Sequence, residues 1–264
     1  MDSTGPTVVR VGQFEVPIDK AMSWVSAYTD GETNRVSPEP FAYPAYDRYN
    51  SHANDPAVLQ DADLMAPGLL NVPVKIRSFY GLQSVRDELE AGLARSELAN
   101  PMADLSDELI AELVGNLYAV LDDRGKKPWG VNATTLSKVL HRKRPASLAL
   151  HDKWVQACYL GDHAPVPRVK TRSWAAYMVA VSHAIAKDLR GQPRQFEQLQ
   201  TACNAQPALS DLRLLDILAW NVGQERPGDY AGSTTVSSKY NALSSELPRH
   251  PDMEKDGRWK PLGE

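Results

Sequence analysis

The 264-residue chain has only two cysteines, Cys158 and Cys203. Two cysteines cannot supply the four ligands of a four-cysteine iron–sulfur cluster or of a cysteine-based structural zinc site. They also give no sign of the disulfide framework that holds small secreted domains together. With 42% hydrophobic residues, the chain is long enough to be stabilised by a hydrophobic core instead.

Long apolar runs and targeting signals are also lacking. No apolar run approaches the roughly 18–20 residues that a membrane span needs. The N-terminal residues Met-Asp-Ser-Thr-Gly-Pro contain neither the basic region nor the apolar region of a signal peptide. We therefore expect a cytoplasmic protein without a membrane partner.

The common motifs of cofactor and metal chemistry are absent as well. The sequence contains no Gly-rich phosphate loop, nucleophile elbow or paired-cysteine motif. His141, His151 and Asp152 could suggest a metal site, but ten residues separate the histidines, which matches no helical ligand pair, and a third ligand is missing. We expect no metal and no cofactor.

Charge is nearly balanced overall but unevenly distributed. The chain has 29 basic and 33 acidic residues, a net charge of −4. Residues 124–172 hold eleven cations against Asp152 and Asp162, so this segment carries +9 and the remainder −13. Such segregation is typical of a DNA-facing surface on an acidic protein, although a solvated charged face gives the same pattern.

Apolar residues recur with helical spacing over most of the chain, which predicts an all-α fold. We expect an irregular N-terminal arm at 1–16, with one short strand as the alternative, a helical domain at 17–222 and an extended or loosely packed tail at 223–264. Early helices are predicted from Pro17 to near Tyr28, at 57–64 and at 76–98. Ser106 is expected to cap a further helix.

Residues 129–155 form the most informative stretch. Gly130-Val131-Asn132 predicts a turn, because Gly and Asn reach positive φ at low cost. A helix with Leu136, Val139 and Leu140 on one face should follow and stop at Pro145. The apolar run Leu148–Leu150 then leads to Asp152, which is well placed to cap the next helix.

This stretch resembles the helix-hairpin-helix DNA glycosylases, whose hairpin reads roughly Gly-Val-Gly and is followed by an apolar segment and one catalytic Asp. Gly130 and Val131 match the hairpin, Thr135 matches the helix start, and Asp152 falls near the catalytic position with two fewer residues between. The stretch Lys-Val-Leu-His-Arg-Lys-Arg-Pro, with the later segment 212–220, also resembles an uncharacterised actinobacterial family. The resemblance implies a helix-hairpin-helix unit at about 116–160.

The resemblance further implies how DNA is bound. The turn would present backbone N–H groups to one phosphate at a helix N-terminus. An ordinary turn between two helices remains an equally valid interpretation. The residues that we expect to bind DNA are Gly130, Asn132, Thr134, Thr135, Lys138, Arg142, Lys143 and Arg144.

For catalysis, the resemblance assigns Asp152 as the carboxylate that stabilises positive charge on the sugar; a simple helix cap is the alternative role. Bifunctional glycosylases place a Lys where this chain has Thr134, and Lys138 should sit elsewhere on the helix. A monofunctional enzyme that uses water is therefore expected.

An aromatic-rich segment between prolines offers a pocket for a flipped base. Phe41, Tyr43, Tyr46 and Tyr49 fall within nine residues, and every base has a face on which such rings stack. Alternatively, the rings anchor a long loop on the core.

The sequence thus predicts a monomeric DNA glycosylase that excises a modified or damaged base. Analogy with related bacterial proteins suggests hypermodified phage DNA, and hence antiphage defence, as its setting. The alternatives are a non-catalytic helix-hairpin-helix DNA-binding protein, or a structural or interaction protein.

Overall fold

A computed structural model of the chain describes residues 8–49, 55–123 and 125–225. These residues are mainly helical, which confirms the mainly α class, and they include one two-stranded sheet. The helices are α1 (Ile18–Thr29), α2 (Gly31–Val36), α3 (Ala45–Arg48), α4 (Asp61–Met65), α5 (Ile76–Ser84), α6 (Arg86–Leu93), α7 (Asp107–Ala119), α8 (Ala133–Lys143), α9 (Lys153–Tyr159), α10 (Trp174–Gly191), α11 (Pro193–Thr201) and α12 (Asp211–Glu225). The predicted tail lies outside the described residues beyond 225. No helix in the described part is long and apolar enough to cross a bilayer.

The predicted N-terminal arm contains a β-hairpin instead of being irregular. Strand β1 (Val8–Val11) pairs antiparallel with β2 (Phe14–Pro17). Gly12 turns the chain with φ +62°, and a Cβ there would lie 2.1 Å from the carbonyl oxygen of Cys158. The hairpin therefore depends on glycine both for its turn and for its close approach to α9.

A buried carboxylate fixes this hairpin to the helical domain. Asp188 on α10 accepts hydrogen bonds from Arg10 Nε and from the Gly12 backbone N–H, both at 2.8 Å. The Tyr159 hydroxyl donates to the same carboxylate at 2.9 Å. Three separate segments therefore meet at one charge-assisted hydrogen-bonding group.

Two predicted helices have different bounds in the structure. The helix expected at 57–64 begins only at Asp61, where Gln60 and Asp63 form a reciprocal cap. The helix expected at 76–98 is divided into α5 and α6 at Val85, whose ψ of 16° departs from helical geometry. The apolar stripe itself is buried as expected, and no Gly or Pro marks the break in the sequence.

Helix α8 is enclosed on nearly all sides. The predicted apolar face of Leu136, Val139 and Leu140 is fully buried, and so is most of the opposite face. A helix buried all round is ordinarily apolar. Helix α8 instead carries Lys138, Arg142 and Lys143 into the interior, where each is at most 6% exposed.

Acidic partners compensate the buried cations of α8. Lys143 Nζ lies 3.0 Å from Asp63 Oδ2, and Arg142 Nε lies 3.7 Å from Asp63 Oδ1. On the next turn towards the N-terminus, Lys138 Nζ lies 3.6 Å from Asp152 Oδ2. A buried ion loses several kcal/mol of hydration, so each cation requires its partner.

The Asp63 interaction yields a stability prediction. Asp63→Asn keeps the shape of the side chain but removes the buried negative charge that Lys143 and Arg142 share, so the unfolding free energy should fall by about 3–5 kcal/mol. Urea denaturation measures the loss. Glu32→Gln serves as the control, because the Glu32–Arg35 pair is exposed and should contribute less than about 1 kcal/mol. Equal effects of the two substitutions would contradict the prediction.

Candidate functional site

The predicted turn before α8 is present and is left-handed at Gly130, where φ is +74°. The carbonyl of Gly130 accepts a hydrogen bond from Ser78 Oγ at 2.8 Å. A Cβ at position 130 would lie 3.1 Å from the Ser78 backbone nitrogen. Glycine is therefore needed both for the conformation and for the contact with α5.

Asn132 has a different role from the one expected. It does not adopt the left-handed conformation of a hairpin glycine; its φ is −118°. Its side-chain oxygen accepts the backbone N–H of Thr135 at 2.8 Å and so caps α8. Gly130 and Asn132 are exposed, Thr134 is partly buried and Thr135 is buried.

Exposed aromatic, aliphatic and basic side chains lie at the turn, in the segment before it and on α5, which contacts it. The Arg77 guanidinium lies 4.2 Å from the ring centroid of Trp129, and the Trp129 side chain is 59% exposed. Ile76, Tyr80 and Lys126 are also exposed. We call these five residues the Trp129 patch. A large apolar patch on a protein surface usually marks an interaction site.

Asp152 begins α9 as its N-cap, as predicted. One carboxylate oxygen accepts the backbone N–H groups of Trp154 and Val155 at 2.9 and 3.1 Å. The other oxygen faces Lys138, and the side chain is 23% exposed. The carboxylate is thus held through one oxygen by two backbone N–H groups, faces Lys138 with the other oxygen, and is partly exposed.

Lys138, one turn after Thr134, forms an ion pair with Asp152, which brings α8 and the start of α9 together. Ser137 explains the approach of these two segments. Its hydroxyl oxygen accepts the backbone N–H of His151 at 3.0 Å, which ties α8 to the residue before Asp152. Lys138 and Asp152 are consequently brought to the same place.

A second carboxyl group, Asp216 on α12, belongs to the same electrostatic neighbourhood. Burial raises the pKa of Asp216 to about 6, Arg213 opposes this rise, and the negative charge of Asp152 adds to it. Arg213 also contacts Asp47, with its Nε 2.7 Å from the carboxylate. Asp216 was not predicted as a site residue. Its signal in the sequence is an Arg–Asp pair three residues apart in an otherwise apolar stretch of helix.

His151 is buried beside this cluster. Its Nε2 lies 3.1 Å from the Tyr177 hydroxyl and 3.2 Å from Gln156 Nε2. Burial lowers the pKa of His151 to about 4, with Asp152 opposing the shift, so the ring is neutral at pH 7. Within the residues described, no three His, Cys, Asp or Glu side chains are grouped as a metal site would require.

The cations at the end of α8 do not form the expected DNA-facing surface. Arg142 and Lys143 are buried against Asp63, so they do not form an exposed cationic surface along which a DNA backbone could lie. Arg144 is partly buried and donates to the Leu93 carbonyl at 2.7 Å. Arg142 and Lys143 lie inside because their acidic partner, Asp63, comes from a distant part of the sequence and is itself buried.

The four aromatic rings have different surroundings in the structure. Phe41 packs edge-on against Trp220, and Tyr43 is buried in the hydrophobic core. Tyr46 is stacked on His141, and its hydroxyl donates to the Lys138 carbonyl at 2.7 Å. Tyr49 is exposed, with the Arg142 guanidinium 5.7 Å from its ring centroid. Core anchoring accounts for three of these rings, Phe41, Tyr43 and Tyr46.

The raised pKa of Asp216 predicts a pH dependence. Because its folded pKa lies above the value near 4 of an unfolded Asp, the folded state binds the proton more tightly, and this contribution to stability is lost as pH rises from about 4 to 6. Asp216→Asn removes this loss. The unfolding free energy of the variant, relative to wild type, should therefore rise between pH 4.5 and 7. A difference independent of pH would contradict the assignment.

Comparison with known proteins places the chain in a family. Neither the search of curated proteins nor the search of solved structures found a match. A family model described as a family of unknown function (DUF6308) matches residues 21–223. That match runs from α1 into α12 and includes the Gly130 turn, Lys138, Asp152 and Asp216, and the chain therefore belongs to the DUF6308 family.

Proposed function

We propose that this protein binds DNA and hydrolyses the N-glycosidic bond of a modified or damaged base, with Asp152 as its catalytic carboxylate. The observation that carries the proposal is the arrangement of Asp152, which follows a glycine turn and a helix, caps α9 and faces Lys138 with a partly exposed carboxylate. A glycosylase needs a fixed negative charge close to the sugar, and this carboxylate is fixed by two backbone N–H groups.

The chemistry follows from the charge that develops in the reaction. As the bond between C1′ and the base breaks, the base leaves with the bonding electron pair and the sugar becomes positively charged. The carboxylate of Asp152 stabilises that charge and orients a water molecule, whose oxygen bonds to C1′. One proton of the water is lost, and the departing base takes up a proton.

Lys138 supports a monofunctional reaction. An ammonium group that is paired with a carboxylate has no free electron pair with which to attack the sugar. Lys138 is also 97% buried at its side chain, so its role in the proposal is to orient Asp152. By the resemblance, the position that matches the nucleophilic lysine of bifunctional enzymes is occupied here by Thr134.

The Trp129 patch is the proposed DNA interface. It lies at the exposed Gly130 turn, in the segment before it and on α5, close to the N-terminus of α8, where a phosphate would meet the positive end of the helix dipole. Arg77 and Lys126 supply positive charge, and the exposed rings of Trp129 and Tyr80 supply stacking surfaces. This assignment replaces Arg142 and Lys143 by cations that are at the surface.

A second candidate function is DNA binding without catalysis. It is favoured by the low exposure of Asp152 and by the complete use of one of its oxygens in capping α9. The Trp129 patch would serve this function equally well. The two candidates differ only in whether abasic sites are formed.

The catalytic assignment predicts the effect of Asp152→Asn. Asn caps a helix as well as Asp, so the variant should fold and bind DNA. Without the charge, single-turnover base excision should slow by on the order of 10²-fold or more. The substrates are duplexes with different damaged or hypermodified bases, treated with alkali to reveal abasic sites.

Two controls sharpen this test. Asp162 is exposed just after α9, so Asp162→Asn should leave excision unchanged. Borohydride should trap no covalent complex between DNA and either the wild-type protein or Asp152→Asn. An unchanged rate in Asp152→Asn would leave Asp152 as a helix cap, and a trapped adduct that disappears in Lys138→Met would show a lysine nucleophile instead.

The interface assignment predicts the salt dependence of DNA binding. Changing Arg77 and Lys126 together to Ala should weaken duplex binding and reduce the slope of log K against log salt by up to about 0.9 for each phosphate that the variant no longer neutralises. The matched control changes Lys187 and Arg194 to Ala, because both are exposed on other helices. Equal slopes in the two double variants would exclude the Trp129 patch as the interface.

A further inference from the structure

A small cavity lies between α3, the C-terminal end of α8 and the beginning of α12. Its volume is about 90 Å³. Since roughly 10–15 Å³ on this measure is enough for one water, a group of several heavy atoms fits. The polar and charged residues used below are Tyr46, Asp47, Arg48, His141, Arg142 and Arg213, and we call this space the arginine cavity. Asp152 is not among its described lining residues.

Four buried side-chain nitrogen atoms of the residues that line the arginine cavity have no hydrogen-bond partner among the described residues. They are Nε and Nη2 of Arg142, Nε of Arg48 and Nε2 of His141. Arg142 is only 6% exposed and His141 only 1%. Buried polar atoms in native proteins are nearly always satisfied, and leaving a charged one unsatisfied is costly. A group inside the cavity would satisfy them.

The acidic residues nearby do not satisfy these atoms. Asp63 Oδ1 lies 3.7 Å from Arg142 Nε, beyond hydrogen-bonding distance, and Asp63 Oδ2 is bound by Lys143 Nζ at 3.0 Å. Both oxygens of Asp47 are occupied by Arg213, at 2.7 and 3.3 Å. Arg213 is paired with Asp47 and Asp216, and Arg142 shares Asp63 with Lys143. Arg48 is the lining guanidinium that has no carboxylate partner among the described residues, and its charge favours an anion in the cavity.

His141 adds a different requirement. Its Nδ1 lies 2.7 Å from the Leu148 carbonyl, so Nδ1 must carry the proton in this contact. Burial is the main cause that lowers the pKa of His141, to about 3, so the ring is neutral and Nε2 is an acceptor. A ligand beside Nε2 must therefore offer a hydrogen-bond donor, as well as oxygens for the arginines.

We propose that the arginine cavity binds a protonated phosphate group, as inorganic phosphate or as the terminal phosphate of a phosphomonoester, with Arg48 and Arg142 donating to its oxygens and His141 Nε2 accepting its P–OH proton. Phosphate near its second pKa carries such a proton, whereas sulfate and a phosphodiester do not. The proposal goes beyond glycosidic hydrolysis and does not depend on Asp152.

Calorimetric titration of the full chain at about pH 6.5 tests the selectivity. Inorganic phosphate should bind saturably to one site per chain, and sulfate and dimethyl phosphate should bind at least roughly tenfold more weakly at matched ionic strength. Absence of saturable phosphate binding, or equal binding of sulfate, would overturn the proposal. These measurements need no variant and no excision activity, so they fail independently of the proposed function.

Variants then locate the site. Arg48→Gln, at a partly exposed position, should weaken phosphate binding roughly tenfold, and the control Arg35→Gln, on exposed α2, should not change it. His141→Gln should reduce the preference for phosphate over sulfate, because an amide both donates and accepts. Unchanged binding and selectivity in both cavity variants, with thermal melts showing them folded, would place the phosphate elsewhere.

A final arm distinguishes the source of the phosphate. A short oligonucleotide with a 5′-phosphate is compared with the same oligonucleotide without it, each in competition with inorganic phosphate. Competition by the phosphorylated strand alone identifies a nucleic-acid terminus as the ligand. If neither oligonucleotide competes and inorganic phosphate still binds, the ligand is the free ion or a small phosphomonoester.

Discussion

The pairing of four buried cations with acidic side chains is the constraint on which the rest of the structure depends. Lys138, Arg142, Lys143 and Arg213 lie in the interior, where an unpaired charge would be strongly destabilising. Their partners come from α3, α4, the start of α9 and α12 itself. The pairs of Lys138, Arg142 and Lys143 therefore specify how distant segments are placed around α8, in addition to the apolar packing of that helix, and the Arg213–Asp47 pair joins α12 to α3.

The candidate site uses the same construction. Asp152 is positioned by the first turn of α9, by the Ser137 hydrogen bond to the preceding residue, and by Lys138 on α8. All three supports lie on regular elements or at their ends, which hold a functional group more accurately than a free loop does. The exposed Gly130 turn precedes the N-terminus of α8, and Ser137 and Lys138 lie further along the same helix. One helix therefore connects the proposed interface with the supports of the proposed catalytic carboxylate.

Local features of this arrangement could be read from the sequence, whereas the long-range ones could not. The Gly130 turn, helix α8 and the Asp152 cap each follow from a few adjacent residues. Burial of Lys143 depends on Asp63, 80 residues earlier in the chain, and no local pattern shows that pairing. Periodicity located the apolar stripe of α5 and α6 but not the break at Val85. The functional assignment of Asp152 remains a prediction.

The sharing of one carboxylate by two cations limits how this sequence can diverge. If Asp63, Arg142 or Lys143 changes alone, the chain passes through a form with an uncompensated charge in its interior. Joint replacement of such a set by apolar residues of similar volume is often tolerated. The three positions should therefore vary together among related chains, either as a charged set or as an apolar one, so an evolutionary change at one of them implies changes at the other two.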